Sequence, residues 1–283
     1  MRIIVTGATG FVGRHVVATL LRRGHEVTGT ARNVPDAARL PWRDCTGFVA
    51  CDLHDSAVDP ATLLGVPDVL VHLAWPRLPN YKDLFHFERN LPADYHFIKR
   101  MVAAGTRQVL VTGTCFEYGM QCGPLSEDAP ALPGNPYGVA KNTLRLFLQA
   151  LQTQRPFTLQ WARLFYLYGP GQNAGSVLAQ LDRAIDAGER HFNMSEGEQL
   201  RDYLPVQEAA GYLAAVIERR EFSGVINCCS GRPVSIRSLV ERRIKQRGAD
   251  IALNLGHFPY SDDQPFAFWG SRQRLDRLIG ERS

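Results

Sequence analysis

Arg2-Ile3-Ile4-Val5-Thr6-Gly7-Ala8-Thr9-Gly10-Phe11-Val12-Gly13-Arg14 is the stretch whose reading decides the fold. An apolar, β-branched run leads directly into three glycines spaced three apart. A segment with helical apolar spacing follows, carrying Val16, Val17, Leu20 and Leu21 on one side. Strand, glycine turn and helix in that order suit a pyrophosphate, because side chains would block the approach of backbone N–H groups and the helix N-terminus attracts an anion. The spacing alone arises about 0.2 times by chance in a chain this rich in glycine, so its weight comes from its position. A tight strand-to-helix turn without a ligand is the plainer alternative.

Working outward, short β-branched runs alternate with longer amphipathic segments, which is the pattern of βαβ units feeding a parallel sheet. The expected strands are Arg2–Thr6, Val27–Ala31, a third ending near Asp52, Val69–Leu73, Val109–Thr112 and Leu159–Leu164. The expected helices are Arg14–Arg23, Phe85–Ala104 and Tyr137–Gln154, with a Gly/Pro-rich loop over Gly119–Pro136. Beyond Gly169 the pattern is less regular, with helices over Val177–Ala187, Gln207–Arg219 and Ile236–Gln246 and a strand over Val225–Cys228. The reading is an α/β protein. A Rossmann doubly wound parallel sheet over residues 1–165, joined by about 203–228, carries a smaller C-terminal α/β substrate-binding portion over 166–202 and 229–283.

Composition narrows the class. The 283 residues are 45% hydrophobic and 21% charged, which fits a chain with a large core. No basic-plus-apolar leader precedes the first strand and no apolar run approaches the ~20 residues of a membrane span, so a cytoplasmic protein is expected. Six scattered cysteines show no metal-ligand spacing and read as free thiols, so no metal is expected. The net charge of +4 is mild and its arginines recur at helical spacing, as a solvated face rather than a nucleic-acid patch.

The end of the second strand chooses between cofactors: a carboxylate there binds the ribose hydroxyls of NAD, whereas arginine accommodates the extra phosphate of NADP. Here the tip reads Thr30-Ala31-Arg32, and Arg14 follows the last glycine as a second cation. NADP(H) is favoured, with NAD(H) also admitted. Further along, Tyr137 and Lys141 stand i, i+4 at the start of a helix, on one face. A phenol is a poor proton shuttle at neutral pH unless a neighbouring cation stabilises its anion, and Lys141 is placed to do so. A surface pair without chemistry is the alternative.

These two motifs, in this order and separation, resemble the extended short-chain dehydrogenase/reductases, in their nucleotide-sugar epimerase/dehydratase/reductase branch. Cys51-Asp52-Leu53 resembles the adenine-contacting position, Val71-His72-Leu73-Ala74 the H-L-A motif lining the cofactor, and Arg163-Leu164-Phe165 through Gly171 the R-x-F-N-x-Y-G-P-G segment. Arg201-Asp202-Tyr203 followed by Val206 resembles R-D-[FY]-x-x-V, whose arginine approaches the nucleotide diphosphate. Tyr118-Gly119 puts the family's hydroxyl residue on Thr114.

The resemblance implies catalytic Thr114, Tyr137 and Lys141. It also implies a dinucleotide held by Gly7, Thr9, Gly10, Phe11, Val12, Gly13, Arg32, Asp52, Leu53, Leu73, Ala74, Thr112, Tyr137, Lys141 and Leu164, and substrate contacts from Thr114, Tyr137 and Arg201. Where dehydratases of the family carry Asp-Glu after the threonine, this chain has Cys115-Phe116, which disfavours dehydration. Tyr166 and Pro205 replace the usual asparagine and histidine. The implied reaction is NADPH-dependent reduction of a nucleoside-diphosphate 4-keto-6-deoxyhexose, the segment Ser195–Val206 being similar to such reductases. A C4 epimerase retaining NAD, and a non-catalytic NADP-binding sensor or scaffold, are the alternatives. Helices Phe85–Ala104 and Tyr137–Gln154 pair across a homodimer in such enzymes.

Overall fold

Strand β1 (Arg2–Thr6) is buried from Ile3 onward, as a strand with neighbours at both edges and helices on both faces must be. The computed structural model describes residues 1–32, 40–262 and 264–280. From β1 the glycine turn opens α1 (Phe11–Arg22), which buries Val16, Val17 and Leu20 and is followed by Gly24 at φ +78°. Next come β2 (Glu26–Ala31), β3 (Gly47–Ala50), the short helix α2 (Pro60–Leu64) and β4 (Val69–His72). They lead to α3 (Leu91–Ala103), β5 (Gln108–Thr114), β6 (Gly123–Leu125), α4 (Pro136–Gln154), β7 (Thr158–Leu164) and β8 (Tyr166–Tyr168). The last part holds α5 (Val177–Asp186), β9 (His191–Asn193), β10 (Leu200–Pro205), α6 (Val206–Glu218) and β11 (Gly224–Cys228). It closes with β12 (Pro233–Ser235), α7 (Ile236–Arg247), β13 (Ala252–Asn254), β14 (Phe268–Gly270) and α8 (Gln273–Gly280).

Seven strands form one parallel sheet in the order β3-β2-β1-β4-β5-β7-β11. The chain leaves β1 toward β2 and returns on its other side as β4, so a crevice opens at the carboxyl ends of β1 and β4, where ligands bind in such sheets. One face is covered by α1 and α6 through Val16, Val17, Leu20, Ala210 and Leu213. The other is covered by α3 and α4 through Ile98, Met101, Leu144 and Leu148. A separate apolar cluster joins α5 and α7 with β9 around Leu181, Phe192 and Val240. No helix among the described residues is long and apolar enough to cross a membrane.

The structure departs from the sequence pattern in places that matter for the site. β3 stops at Ala50, and Asp52 instead accepts the N–H of His54 at 3.0 Å in a turn. The expected helix Phe85–Ala104 is a π-helical turn over His86–Asn90 followed by α3, because Pro92 has no N–H to continue the regular ladder. β5 runs two residues past its expected end, which makes Thr114 its last residue. The expected loop Gly119–Pro136 contains β6, paired with β14 from the far end of the chain, a contact invisible in a Gly-Pro-Leu triplet.

Candidate active site

The glycine turn is as tight as its sequence suggests. Gly7 has φ +66°, and a Cβ there would lie 2.8 Å from the Ala74 nitrogen; a Cβ on Gly13 would lie 2.1 Å from the Gly7 oxygen. Helix, turn and the end of β4 therefore meet backbone to backbone. Gly10 caps α1 with no side chain and the first turn holds no acid, so no side chain of the cap takes up its first N–H groups, which suit an anion. Beneath the turn, the Thr6 hydroxyl accepts the N–H groups of Leu73 and Ala74 at 3.1 and 3.2 Å, and its own hydrogen goes to His72 Nδ1 at 3.1 Å. His72 thus carries its proton on Nε2, which faces Asp94 Oδ2 at 3.3 Å. It is wholly buried, so of the H-L-A motif it is Leu73 and Ala74 that line the cleft.

Two connected hollows open here. A smaller one of about 210 Å³ is lined by Gly7, Thr9 and Gly10 and by Arg32, Asp52 and Leu53, the tips of β2 and β3. It shares Gly7, Gly10, Ala74, Trp75 and Pro76 with a cleft of about 1090 Å³ lined by Phe11, Val12, Leu73, Thr112, Thr114, Tyr137, Lys141 and Leu164. Gly13 stands behind the turn and makes room for it. The hollows fit an extended dinucleotide laid from the β2 tip, across the glycine turn, to Tyr137. When bound, its nicotinamide supplies or accepts a hydride at the reacting carbon.

Tyr137, Thr114 and Lys141 meet at the base of the large cleft, all at most 7% exposed. Asn135 caps α4 by accepting the Gly138 N–H at 2.8 Å, and Pro136 occupies the first helical position. The helix therefore starts one residue before Tyr137 and aims it at the end of β5. The Thr114 hydroxyl acts on the phenol and favours its anion. Burial pushes the phenol well above its ordinary pKa, with Tyr81 adding to the effect and the Thr114 hydrogen bond opposing it. The Lys141 ammonium donates to the Thr112 carbonyl at 2.9 Å and lies 3.9 Å from the centre of the Trp75 ring. Burial pulls it down to about 8, against the carboxylates of Asp94 and Glu117. The expected stabilisation of the phenol's anion by Lys141 is tied to a nearby oxidised nicotinamide. Without a bound dinucleotide, burial favours the neutral phenol, and Lys141 lies buried near it.

Several functional neighbours carried no signal in the sequence. Glu117, fully buried, accepts the Thr114 N–H at 2.8 Å, the Trp161 indole N–H at 3.0 Å and Arg163 Nε at 2.8 Å, and so fixes the end of β5 against β7. Tyr81, His86, Trp75 and Phe116 surround the Tyr137 ring at centroid distances from 5.3 to 6.2 Å. Two arginines are engaged within the protein. Arg14 turns back onto the carbonyls of Thr9 and Gly10, at 3.1 and 3.3 Å, and among the described residues Arg32 is the arginine that lines the smaller hollow. Arg201 does not reach the cleft: it is 4% exposed, donates to the carbonyls of Leu200 and Phe266, and packs over the Phe268 ring at 4.9 Å. The adjoining Tyr166, where the family has asparagine, gives its hydroxyl to Gln264 at 2.8 Å and lines the cleft with its ring.

A parallel doubly wound sheet with a glycine turn over such a cleft and a tyrosine and lysine at its base defines an NAD(P)-dependent enzyme of the short-chain dehydrogenase type. The chain belongs to the NAD dependent epimerase/dehydratase family, whose model matches residues 3–229. It is 32% identical over 279 residues to dTDP-6-deoxy-L-talose 4-dehydrogenase (NAD(+)) of Aggregatibacter actinomycetemcomitans, covering 96% of this chain and 100% of that one. It is 31% identical to dTDP-6-deoxy-L-talose 4-dehydrogenase (NAD(P)(+)) of Kitasatospora kifunensis, over 100% of this chain and 89% of the relative. Among solved structures, MoeE5 in complex with UDP-glucuronic acid and NAD superposes with a TM-score of 0.85 at 25% identity, over 99% of this chain and 93% of that one.

Proposed function

We propose that this enzyme reduces the C4 ketone of a nucleoside-diphosphate 4-keto-6-deoxyhexose with NADPH, the reverse sense of the 4-dehydrogenase reaction for which its relatives are named. The carrying observation is that Thr114, Tyr137 and Lys141 meet, buried, in one cleft with no carboxylate at positions 115 and 116. Reduction needs a proton for the oxygen that becomes the C4 hydroxyl, and a phenol that burial keeps protonated is that donor. Thr114 orients the same oxygen. Lys141 holds the nicotinamide ribose and supplies positive charge as the phenol gives up its proton. Dehydration needs an acid and a base next to that carbon. Cys115 is a poor substitute, its thiol pushed up to about 12 by burial, and Phe116 has neither function.

The wall beside the reacting oxygen is aromatic, with Phe116 and Tyr81 at 4.7 Å between ring centres and Tyr166 next to them. Such a wall suits a 6-deoxy sugar, whose C6 methyl is two bonds from C4, better than one whose hydroxymethyl it would desolvate. Arg32, with no acid at the β2 tip, supports NADPH over NADH. The exposed faces of Val139, Leu146 and Phe147 on α4 support a homodimer built on α3 and α4.

The test is direct: the purified protein is mixed with a dTDP-4-keto-6-deoxyhexose and NADPH or NADH, and dinucleotide consumption and the product's C4 configuration are followed. NADPH consumption with a single C4 epimer formed is expected. No consumption of either dinucleotide overturns the reading, and interconversion of the C4 epimers of a dTDP-6-deoxyhexose supplied in place of the ketone, with NAD and no net change in it, makes the enzyme an epimerase.

A further inference from the structure

Trp75 lies outside the motifs that suggested the site, yet it touches both halves of it. Its ring stands 3.9 Å below the Lys141 ammonium and 6.1 Å from the Tyr137 ring, edge to face. The indole is 8% exposed, and its N–H donates to His86 Nδ1 at 3.1 Å. His86 Nε2 in turn gives its proton to the Asn80 carbonyl at 2.8 Å. Both ring nitrogens of His86 are thereby committed, which fixes its tautomer and leaves it neutral, as burial also favours. Trp75 is thus clamped at its polar end, and its π face is presented to the buried ammonium.

Resting on the proposed Tyr137 and Lys141 chemistry, we propose that Trp75 is a positioning residue: it holds the Lys141 ammonium in place and keeps it charged inside the cleft through a cation–π contact, with His86 and the Asn80 carbonyl setting the indole's orientation. A lysine amine taken out of water loses its proton easily. Around Lys141 stand the Thr112 carbonyl, the carboxylates of Asp94 and Glu117, neutral His86, and Tyr137 on its own helix. The carboxylates act at a distance and Thr112 offers a single acceptor. The indole face is the contact that favours the cation over the amine from the remaining side.

The experiment reads lysine ionisation in the protein without dinucleotide, so that it stands apart from turnover. The chain has four lysines, Lys82, Lys99, Lys141 and Lys245. Isotopically labelled side chains titrated by NMR, with Lys141→Met for assignment, resolve the buried one. The wild type is expected to titrate near 8 at Lys141, Trp75→Phe close to it, and Trp75→Leu lower by about half a unit or more. Should Trp75→Leu fail to fold, biosynthetic incorporation of fluorinated tryptophans weakens the π face without changing its shape. The Lys141 titration is then expected to fall stepwise with fluorine content, with no such trend in Trp75→Phe.

In the active enzyme the alkaline limb of kcat/KM moves with the same variants. Unmoved Lys141 titration in Trp75→Leu, or a fluorination series without trend, overturns the role of Trp75. A wild type that titrates as expected but turns over no keto sugar instead overturns the reductase reading.

Discussion

Replacing Gly13 with alanine is the sharpest test of how the turn is built. A Cβ at Gly13 would lie 2.1 Å from the Gly7 oxygen, 2.8 Å from the Gly7 carbonyl carbon and 2.9 Å from Ala8 Cα. All three are backbone atoms of the turn itself, so no side chain can swing aside. Reaching an ordinary contact of about 3.4 Å requires α1 and the turn to part by roughly 1 Å, and strain of this kind in a packed site costs about 1–3 kcal/mol. For a chain of this size that is a fall in Tm of order 5 °C. The same displacement pulls the α1 N–H groups off the phosphates, so dinucleotide affinity falls by 100-fold or more, since a shift of ~1 Å spoils hydrogen-bond geometry.

Two companions calibrate the result. At Gly10 a Cβ would stand 3.1 Å from the Gly7 oxygen, a tight contact that small shifts relieve, so Gly10→Ala is expected to be milder than Gly13→Ala in stability. At Gly211 in α6 a Cβ meets nothing within 4 Å, and alanine there raises stability by about 1 kcal/mol through helix propensity, leaving binding unchanged. The assays are thermal unfolding and dinucleotide titration by fluorescence. Gly13→Ala binding the dinucleotide with wild-type affinity would refute the reasoning.

Glu117→Gln leaves Arg163 and the Trp161 indole in a buried site without their anion, and a loss of about 3–5 kcal/mol is expected in denaturant unfolding; a loss under 1 kcal/mol means that the pair is not coupled. Arg32→Asp places a carboxylate at the β2 tip and is expected to shift the NADPH-to-NADH ratio of kcat/KM at least 10-fold toward NADH, measured with one keto sugar; an unchanged ratio removes Arg32 from cofactor choice. With Lys141 at about 8 in the folded protein, kcat/KM falls as pH rises through that value because the cation is lost. Stability responds with the opposite sign. The folded pKa lies below the ordinary lysine value of about 10.4, so between the two the unfolded chain binds more protons, and this group's contribution rises with pH. Unfolding free energies of wild type and Lys141→Met across that window check it: a difference that does not change with pH counts against a depressed lysine. Tyr137→Phe is expected to lower kcat by 10²–10⁴ while dinucleotide affinity stays within a factor of a few, read from titration and turnover on one preparation.

The glycine turn was legible because its requirement is local: a run of β-branched residues, three glycines and an amphipathic helix must coincide within twenty residues whatever the remainder of the chain does. The same holds for Tyr137 and Lys141, whose spacing within one helix puts them on one face before any tertiary contact forms. Alternating strands and helices were enough for the parallel sheet, since parallel neighbours need a crossover between them and the helices supply it. Thr114 came only through resemblance, as its place at the end of β5 depends on Glu117 reaching across to Arg163 and Trp161 on β7. What the sequence withheld is whatever rests on residues distant along the chain. The turning of Arg201 away from the cleft depends on carbonyls at 200 and 266, and the clamp on Trp75 depends on a histidine eleven residues on and a carbonyl at 80. Burial is the physical reason: charge, tautomer and proton affinity at Tyr137, Lys141 and His86 are set by which groups share a water-excluded space, and only the tertiary structure decides that.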